Sequence, residues 1–400
     1  MIDSGGCVDV VYVDYAKAFD KVAHRRLIKK MRGYGISEEI LNWTQSFLCG
    51  RRQRVTVNGE DSQWADVLSG VPQGSVLGPV LFICYINDLP EEIHTNVKLF
   101  ADDTKVYADV SESSNGQKLQ EDISRLDDWA KKWQLSFNSR SKCKVMHIRN
   151  NNTKRKYKMQ QEQELVDLET TEIEKDIGVH VDKELKFDRH VEIQCGKANK
   201  ILGMIRRSFT YIDKDSMKKL YTALIRPILE YGHVVTYPRF KKSATLLESV
   251  QHRATKMVPE LHDLEYEDRR REMDLQSLYY RRDRGDMIEC YKMTHNSYEI
   301  TPILKRDEET TRRGHSLKLK FTHSKKEVRH HYFSLRVVSK WNSLPESLVS
   351  APSLNSFKNR LDSHWKEYRF SQTPLPHRIK VETVTTVVGN ELETVEKAEA

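Results

Sequence analysis

The sequence predicts an α+β fold, with an antiparallel sheet and packed helices in the first half and mostly helices in the second. Strand-like runs in the first half end in tight-turn signals, and Asn58-Gly59 is the strongest signal for a two-residue hairpin. From about residue 190 the pattern changes to helical segments such as EIQCGKANKILGMIRRSF. We therefore expect a domain boundary at residue 189.

Composition limits the class of protein. The chain has 400 residues, which suits two or three domains of about 100–200 residues each. It has no apolar run of about 18 residues, and its N-terminus lacks the features of a signal peptide, so we expect no membrane contact. The six cysteines stand singly without a CxxC pair, which disfavours a zinc site or a disulfide framework and favours an intracellular protein.

The first elements are a strand and several helices. Residues 7–22 indicate a strand that ends near Asp14 and continues into a helix. Helical patterns follow over 24–35 and 37–50, and Ser37 has the position of an N-cap with acids in the first turn.

Further elements follow the Asn58-Gly59 hairpin. An amphipathic helix is indicated by apolar residues at 119, 123, 126, 129 and 133. The other predicted elements are an apolar helix at 76–87, a hairpin at 98–107, a strand at 142–148, a polar loop or hairpin tip at 150–164 and a hairpin at 176–191. Beyond the first region, 1–189, we expect a helical region at 190–300, a basic C-terminal region at 301–368 and a loosely ordered tail at 369–400.

Two adjacent carboxylates, Asp102 and Asp103, interrupt the strand-like run KLFADDTKVY. Strands disfavour aspartate, and a carboxylate among apolar neighbours needs a partner such as a cation. Asp14 has similar apolar flanks at the end of the first strand. Such ligands suit Mg²⁺, and two Mg²⁺ ions would activate a hydroxyl and stabilise a leaving pyrophosphate. The alternative is that Asp102 and Asp103 simply form a turn.

The Gly/Pro-rich segment SGVPQGSVLGPVLF lies between these acids. It presents backbone amides and Gln73 at the head of a helix, a place suited to phosphates and a base. The alternative is an ordinary helix entry with a proline near its start. Phe19, five residues after Asp14, either lies near whatever Asp14 binds or is a core aromatic.

The ordered series VYVDYAKAFDKV, SGVPQGSVLGP and FADDTK resembles motifs A, B and C of a reverse transcriptase palm. GYGI, RRQRV, INDLP, WQLSFN, LYTALIRPILEYG and WNSLPESLVSAPSLNSFKNRLDSHW resemble non-LTR retrotransposons of the jockey-like kind, over roughly residues 8–366. The resemblance implies a polymerase palm at 1–189 and a helical thumb-like region at 190–300. It also implies an RNA-directed DNA polymerase that uses Mg²⁺, dNTPs, an RNA template and a DNA primer.

The resemblance further implies the role of single residues. Asp14, Asp102 and Asp103 correspond to the catalytic, metal-binding carboxylates. Phe19 corresponds to the steric gate that crowds a ribose 2′-hydroxyl.

Other implied roles concern the nucleotide. Gln73 and Gly74 would border the incoming nucleotide and the template. Lys142 falls near a lysine that protonates pyrophosphate in polymerases of this type, although Lys144 is almost as well placed. The segment DIGVHVDKELKF resembles the primer-grip hairpin.

Two functional hypotheses remain open at the level of the sequence. Family members carry fingers ahead of motif A, whereas 13 residues precede Asp14 here, so we expect a truncated copy whose palm lacks the clamp on the triphosphate. The chain is then either an active reverse transcriptase or an inactive retroelement remnant that at most binds nucleic acid. An unrelated soluble α/β protein is disfavoured by the three ordered motifs. Nuclear action is implied only by retrotransposition, and the oligomeric state is left open.

The stretch 312–340 is the most basic part of the chain. It holds nine Lys or Arg residues and one acid, Glu327, and so carries a charge of +8. Its histidines, Tyr332 and Phe333 are interleaved with these cations, a pattern that favours contact with nucleic acid. The alternative is a solvated surface.

Overall fold

The computed structural model describes residues 2–138, 142–149, 151–161, 164–298, 303–307, 314–324, 327–370, 381–388 and 391–398. The chain divides into two compact units, residues 1–184 and 185–400. Among the described residues, no helix is long and apolar enough to span a membrane. The predicted boundary at 189 lies five residues beyond this division.

Short strands and four helices make up the described part of the first unit. The strands are β1 (Val8–Val13), β2 (Arg52–Gln53), β3 (Thr56–Val57), β4 (Glu60–Asp61), β5 (Ala65–Asp66), β6 (Asn96–Phe100), β7 (Asp103–Asp109), β8 (Lys144–Ile148), β9 (Lys158–Gln161), β10 (Glu164–Asp167), β11 (Glu169–Thr170), β12 (Ile173–Asp176) and β13 (Val179–Asp182). The helices are α1 (His24–Gly33), α2 (Glu38–Leu48), α3 (Leu77–Ile86) and α4 (Ser113–Trp133). This mixture confirms the α+β class.

A five-stranded sheet in the order β11-β8-β1-β7-β6 is the largest sheet of the described chain. The central strand β1 is antiparallel to both β7 and β8, whereas β11 runs parallel to β8. β1 reads VDVVYV and is buried over almost its whole length, as expected for a strand covered on both faces. β7 alternates between buried and more exposed residues, which is typical of a strand covered mainly on one face.

Helices pack on this sheet through an apolar core. The predicted amphipathic helix is confirmed as α4, and its apolar positions Leu119, Ile123, Leu126 and Trp129 are buried. Phe82 and the other buried side chains of α3 belong to the same core. The predicted hairpin at Asn58-Gly59 is also confirmed, since β3 pairs with β4 across these two residues.

One predicted element differs from the structure. The helix expected before residue 22 is wrong, because only a single 3-10 turn, Phe19–Lys21, forms there. The carbonyl groups of this segment instead accept from a distant loop: Val71 N–H donates to Phe19 O and Gly70 N–H donates to Val22 O. The segment 150–164, predicted as a polar loop or hairpin tip, contains β9, which is antiparallel to β10.

Helices dominate the described part of the second unit. They are α5 (Asp188–Ser208), α6 (Lys214–Leu220), α7 (Arg226–Glu230), α8 (Lys241–Lys256), α9 (Tyr266–Glu272), α10 (Leu278–Thr294), α11 (Glu327–His330), α12 (Phe333–Asn342), α13 (Glu346–Val349) and α14 (Leu354–His364). A π-helical turn, Tyr221–Ile225, joins α6 to α7. One apolar core gathers residues from Val191 to Leu278 and another gathers residues from Tyr280 to Trp365.

The C-terminal tail is described only in part. Residues 371–380, 389–390 and 399–400 lie outside the described residues. Between them the structure has an antiparallel pair that the sequence did not predict, β14 (Val381–Val388) and β15 (Glu391–Ala398).

Part of the basic stretch 312–340 differs from the prediction of a solvated or nucleic-acid-binding surface. Arg336 is buried and bound by Asp286 at 2.8 Å, and Lys340 is buried and bound by Asp283 at 2.6 Å. His315 is also buried, with Nε2 at 2.9 Å from Trp341 O. These three residues are therefore part of the interior, whereas Lys320, His323 and Tyr332 of the same stretch are exposed, so both predicted alternatives stay open for that part. Arg312, Arg313, Lys325 and Lys326 lie outside the described residues.

Candidate active site

The register of the sheet brings the acids of the first unit together. Phe100 pairs with Asp103, so Ala101 and Asp102 form a two-residue turn between β6 and β7. Thr104, the next residue of β7, pairs with Val13 at the end of β1. Asp14 follows Val13 directly, so the chain places Asp14 and Asp103 at the same edge of the sheet, on neighbouring strands.

A cleft of about 440 Å³ opens at this edge. Its lining includes five lysines and four carboxylates, together with apolar and aromatic side chains. The charged residues are Lys98, Lys105, Lys142, Lys144, Lys175, Asp14, Asp103, Glu174 and Asp176. Alternating lysines and carboxylates of this kind suit a ligand that carries phosphates together with a cation. Asp102 is not part of the lining.

The carboxylates of Asp14 and Asp103 are incompletely satisfied by their neighbours. Oδ2 of Asp14 is buried and accepts no hydrogen bond within the described chain, and the nearest cation is Lys142 Nζ at 3.4 Å. Partial burial raises the pKa of Asp103, and the negative charges of Asp102, Asp176 and Asp14 raise it further. A cation at this edge of the sheet would relieve both effects.

The lysine that the sequence left ambiguous is clarified by geometry. Lys142 lies 3.4 Å from Asp14, whereas Lys144 Nζ lies 3.9 Å from Oε2 of Glu174. Both line the cleft, but Lys142 is the one paired with a predicted catalytic acid.

Phe19, Gln73 and Gly74 are brought to a different place. Phe19 stacks on Phe82 with ring centroids 4.6 Å apart, and Gln73 Nε2 donates to Asp20 Oδ1 at 3.0 Å. Gly74 has φ = +81°, a conformation that favours glycine. The loop that carries Gln73 therefore docks on the loop that carries Phe19, but none of these three residues lines the cleft.

Residues of the β12–β13 hairpin complete the cleft and were not predicted individually. Asp176 forms an ion pair with Lys105, and Glu174 lies near Lys144. The only sequence signal for them is the likeness of DIGVHVDKELKF to a primer-grip hairpin. Among the described residues, however, no group of three or more His, Cys, Asp or Glu side chains is arranged to hold a metal ion.

Comparison with known proteins agrees with the motifs. Residues 3–187 match the family described as reverse transcriptase (RNA-dependent DNA polymerase). The chain is 24% identical over 265 residues to the probable RNA-directed DNA polymerase from transposon X-element of Drosophila melanogaster, covering 64% of this chain and 29% of the relative. It is 29% identical over 253 residues to the RNA-directed DNA polymerase from mobile element jockey of Drosophila funebris, covering 57% of this chain and 25% of the relative.

A third relative has a similar identity to this chain and covers a similar share of it. The probable RNA-directed DNA polymerase from transposon BS of Drosophila melanogaster is 28% identical over 274 residues, which cover 62% of this chain and 29% of the relative. The chain thus spans less than a third of the length of these relatives.

Proposed function

Because residues 3–187 form a reverse transcriptase domain of the jockey-like non-LTR retrotransposon kind, we propose that the chain is an RNA-directed DNA polymerase. It extends a DNA primer on an RNA template with dNTPs as substrates. Residues 1–189 act as the palm and residues 190–300 as a thumb-like region. The nucleus is the proposed site of action.

The observation that carries this proposal is the meeting of Asp14 and Asp103 at one lysine-lined cleft. The buried, unsatisfied Oδ2 of Asp14 and the raised pKa of Asp103 both fit a cation bound between these residues. Asp14, Asp103 and the adjacent Asp102 would hold Mg²⁺. When bound, Mg²⁺ would neutralise charge on the reacting phosphates and activate the primer hydroxyl.

The protein's own side chains have proposed roles beside the metal. The Nζ atom of Lys142 lies 3.4 Å from Asp14 and is the proposed donor of a proton to the departing pyrophosphate. Phe19, Gln73 and Gly74 are proposed to contact the nucleotide, with Phe19 crowding the ribose. Because Phe19 stacks on Phe82 and Gln73 is bound to Asp20, this role requires the docked loops to lie beside the incoming nucleotide.

The decisive experiment is Mg²⁺-dependent incorporation of dNTPs on a primed RNA template. We expect Asp14→Asn, Asp102→Asn and Asp103→Asn each to lose activity by about 100-fold or more. Without the carboxylate that holds Mg²⁺, the reacting phosphates would be misplaced and would react slowly. The matched control is Asp128→Asn, which removes an exposed carboxylate on α4. Full activity in Asp14→Asn would contradict the proposed site.

A second candidate is a catalytically inactive protein that binds nucleic acid. It is favoured by one observation, namely that Asp14 and Asp103 line the cleft whereas Asp102 does not. This candidate predicts no incorporation by the unmodified protein but salt-sensitive binding of a primed template. The incorporation assay therefore separates the two.

A further inference from the structure

A second polar cavity lies within the second unit, and the polymerase chemistry does not use it. Its volume is about 360 Å³. One side of α10, the start of α14 and the turn after α7 form its walls. The charged and polar lining residues are Glu230, His233, Arg281, Arg282, Arg284, Glu289, Lys292 and Lys358.

The most unusual of these residues is Arg282. It is 4% exposed, and its Nη2 is buried and makes no hydrogen bond in the described chain. The neighbouring arginines are satisfied: Arg281 is bound by both carboxylate oxygens of Glu230, and Arg284 by both oxygens of Asp362. A buried guanidinium without a partner is costly, so the position is explained best by an anion supplied from outside.

One other cation at the cavity also lacks a partner. Lys358 on α14 is half-buried and has no ion pair within the described residues. His233 adds no donor, because Nδ1 donates to Glu230 O at 3.2 Å and Nε2 faces Gly285, where a Cβ would come within 2.3 Å of it. Arg282 on α10 and Lys358 on α14 thus line the same cavity.

Bound water would not compensate the excess positive charge at this cavity. A neighbouring cavity lined by Arg282 and His233 has a volume of only about 10 Å³, which is about the room one water needs. A water satisfies a hydrogen bond but leaves the charge of Arg282 uncompensated. The lining of the larger cavity carries five cationic side chains against two carboxylates.

We propose that this cavity binds one phosphate group, with Arg282 and Lys358 supplying the charge. Cationic donors on two separate helices suit an anion with several acceptor oxygens, and the guanidinium fork matches phosphate. The phosphate is a phosphodiester of a nucleic-acid backbone or free inorganic phosphate. The site is independent of the polymerase cleft, so it stands whether or not the chain synthesises DNA.

The first test is calorimetric titration of the full chain with inorganic phosphate at low salt. We expect Arg282→Met to weaken binding at least tenfold and Lys358→Met several-fold. Lys200→Met removes an exposed lysine of α5 that is not part of the lining and should leave binding unchanged. Binding at the cleft of the first unit is common to all four proteins and cancels in the comparison.

Thermal unfolding distinguishes a ligand site from a structural arginine. Phosphate should raise the Tm of the unmodified protein and of Lys200→Met but not of Arg282→Met, because only a bound ligand stabilises the folded state. Without phosphate, Arg282→Met should unfold at the same or a higher temperature, since it removes an unpaired buried charge. A lower Tm in this variant, with normal phosphate binding by Lys358→Met, would overturn the proposal.

A short single-stranded oligonucleotide identifies the source of the phosphate. For a backbone phosphodiester, Lys358→Met should weaken oligonucleotide binding and lower the slope of log K against log salt by about 0.7 relative to Lys200→Met. If the ligand is free phosphate, the oligonucleotide should bind Lys358→Met and Lys200→Met equally. Inorganic phosphate should then still bind Lys358→Met more weakly than Lys200→Met. Equal binding of both probes by the unmodified protein, Arg282→Met and Lys358→Met would refute the site.

Discussion

Buried carboxylates of the first unit show how hydrogen bonds decide the protonation of a single residue. Asp122 is fully buried, yet the N–H groups of His94 and Thr95 and the guanidinium of Arg125 donate to it. Burial raises its pKa, but these donors outweigh burial and hold the pKa below the usual value. Asp127 accepts a hydrogen bond from Gln160 N–H at 2.8 Å, and here burial dominates and raises the pKa to about 6.

Asp127→Asn should therefore stabilise the protein near neutral pH. The folded state holds a proton on Asp127 between pH 6 and 4 that the unfolded state has released, so this group favours folding as the pH falls through that window. At pH 7 the buried charge costs about 3 kcal/mol, and asparagine removes it while still accepting from Gln160. Urea unfolding at pH 7 and pH 4.5 checks this.

The matched control for this variant is Asp128→Asn, because the side chain of Asp128 is 81% exposed. We expect no change in the free energy of unfolding there. The interpretation of Asp127 would be wrong if Asp127→Asn were as stable as the unmodified protein at both pH values.

Lys30 is a buried cation held among aromatic rings. Its Nζ lies 3.6 Å from the ring centroid of Trp133 and 4.7 Å from that of Trp129, and it bonds Asp88 at 2.5 Å. Burial lowers its pKa to about 8, against the opposing effect of Asp88. The unfolded state keeps this proton up to about pH 10.5, so Lys30 favours folding increasingly as the pH rises from 8 to 10.5.

Lys30→Met should remove this pH dependence. Between pH 8 and 10 the unmodified protein should gain about 2 kcal/mol of unfolding free energy relative to the variant. Chemical denaturation of both proteins at the two pH values measures their unfolding free energies. The titration of other groups cancels in the difference between the two proteins. Lys131→Met, an exposed lysine of α4, serves as control and should track the unmodified protein. Parallel pH curves for Lys30→Met and the control would contradict this assignment.

At the scale of elements, two hairpins of the first unit form the same type of two-residue turn with different residues. Both central residues have positive φ in each: Asn58 and Gly59 at 52° and 89°, Ile177 and Gly178 at 45° and 79°. Asparagine tolerates this region, whereas a left-handed conformation costs a β-branched residue about 1–2 kcal/mol. Ile177 also lines the cleft, where such strain is typical of functional residues.

The exchange of these residues tests the strain. Ile177→Asn should stabilise the protein by about 1 kcal/mol, and the reciprocal change Asn58→Ile should destabilise it by a similar amount. Thermal or urea unfolding of both variants is the measurement. If Ile177 contacts substrate, Ile177→Asn should also lower dNTP incorporation. A loss of stability in Ile177→Asn would show that packing of the isoleucine outweighs the strain of its backbone.

The elements that the sequence predicted well are those set by local rules. Asn58-Gly59 and the apolar spacing of α4 each specify their structure within a few residues. The segment before residue 22 was missed because its hydrogen bonds go to Gly70 and Val71, far away in sequence. The pairing of Lys105 with Asp176 joins residues that are 71 positions apart in the sequence, so no local sequence pattern predicts it.

The same distinction explains what was predicted of the candidate site. The meeting of Asp14 and Asp103 follows from the motifs, because strand ends of one sheet meet at one edge, whereas Lys142 was expected only with Lys144 as an alternative. The docking of Gln73 on Asp20, instead of on the cleft, depends on a loop conformation that the motifs do not encode.

At the scale of the whole molecule, the first unit exposes several apolar residues at and just before α3. The helix α3 reads LGPVLFICYI and has no charged residue, a composition typical of a helix covered on all sides. Yet Val80 and Ile83 are 52% and 48% exposed, and Val76, just before the helix, is 90% exposed. These three residues recur at helical spacing and so form one stripe, which is typical of a surface that another protein segment covers.

This stripe should make the protein associate with itself. Val80→Lys should lower the binding of a hydrophobic dye and the apparent mass in light scattering, while the Tm changes little, because the replaced side chain is already half in water. Met204→Lys, at an exposed position of α5 in the second unit, introduces the same charge without touching the stripe and is the matched control. Equal association of the two variants would mean that net charge governs solubility. A reduction of self-association confined to Val80→Lys would identify the α3 stripe as the surface through which the protein associates.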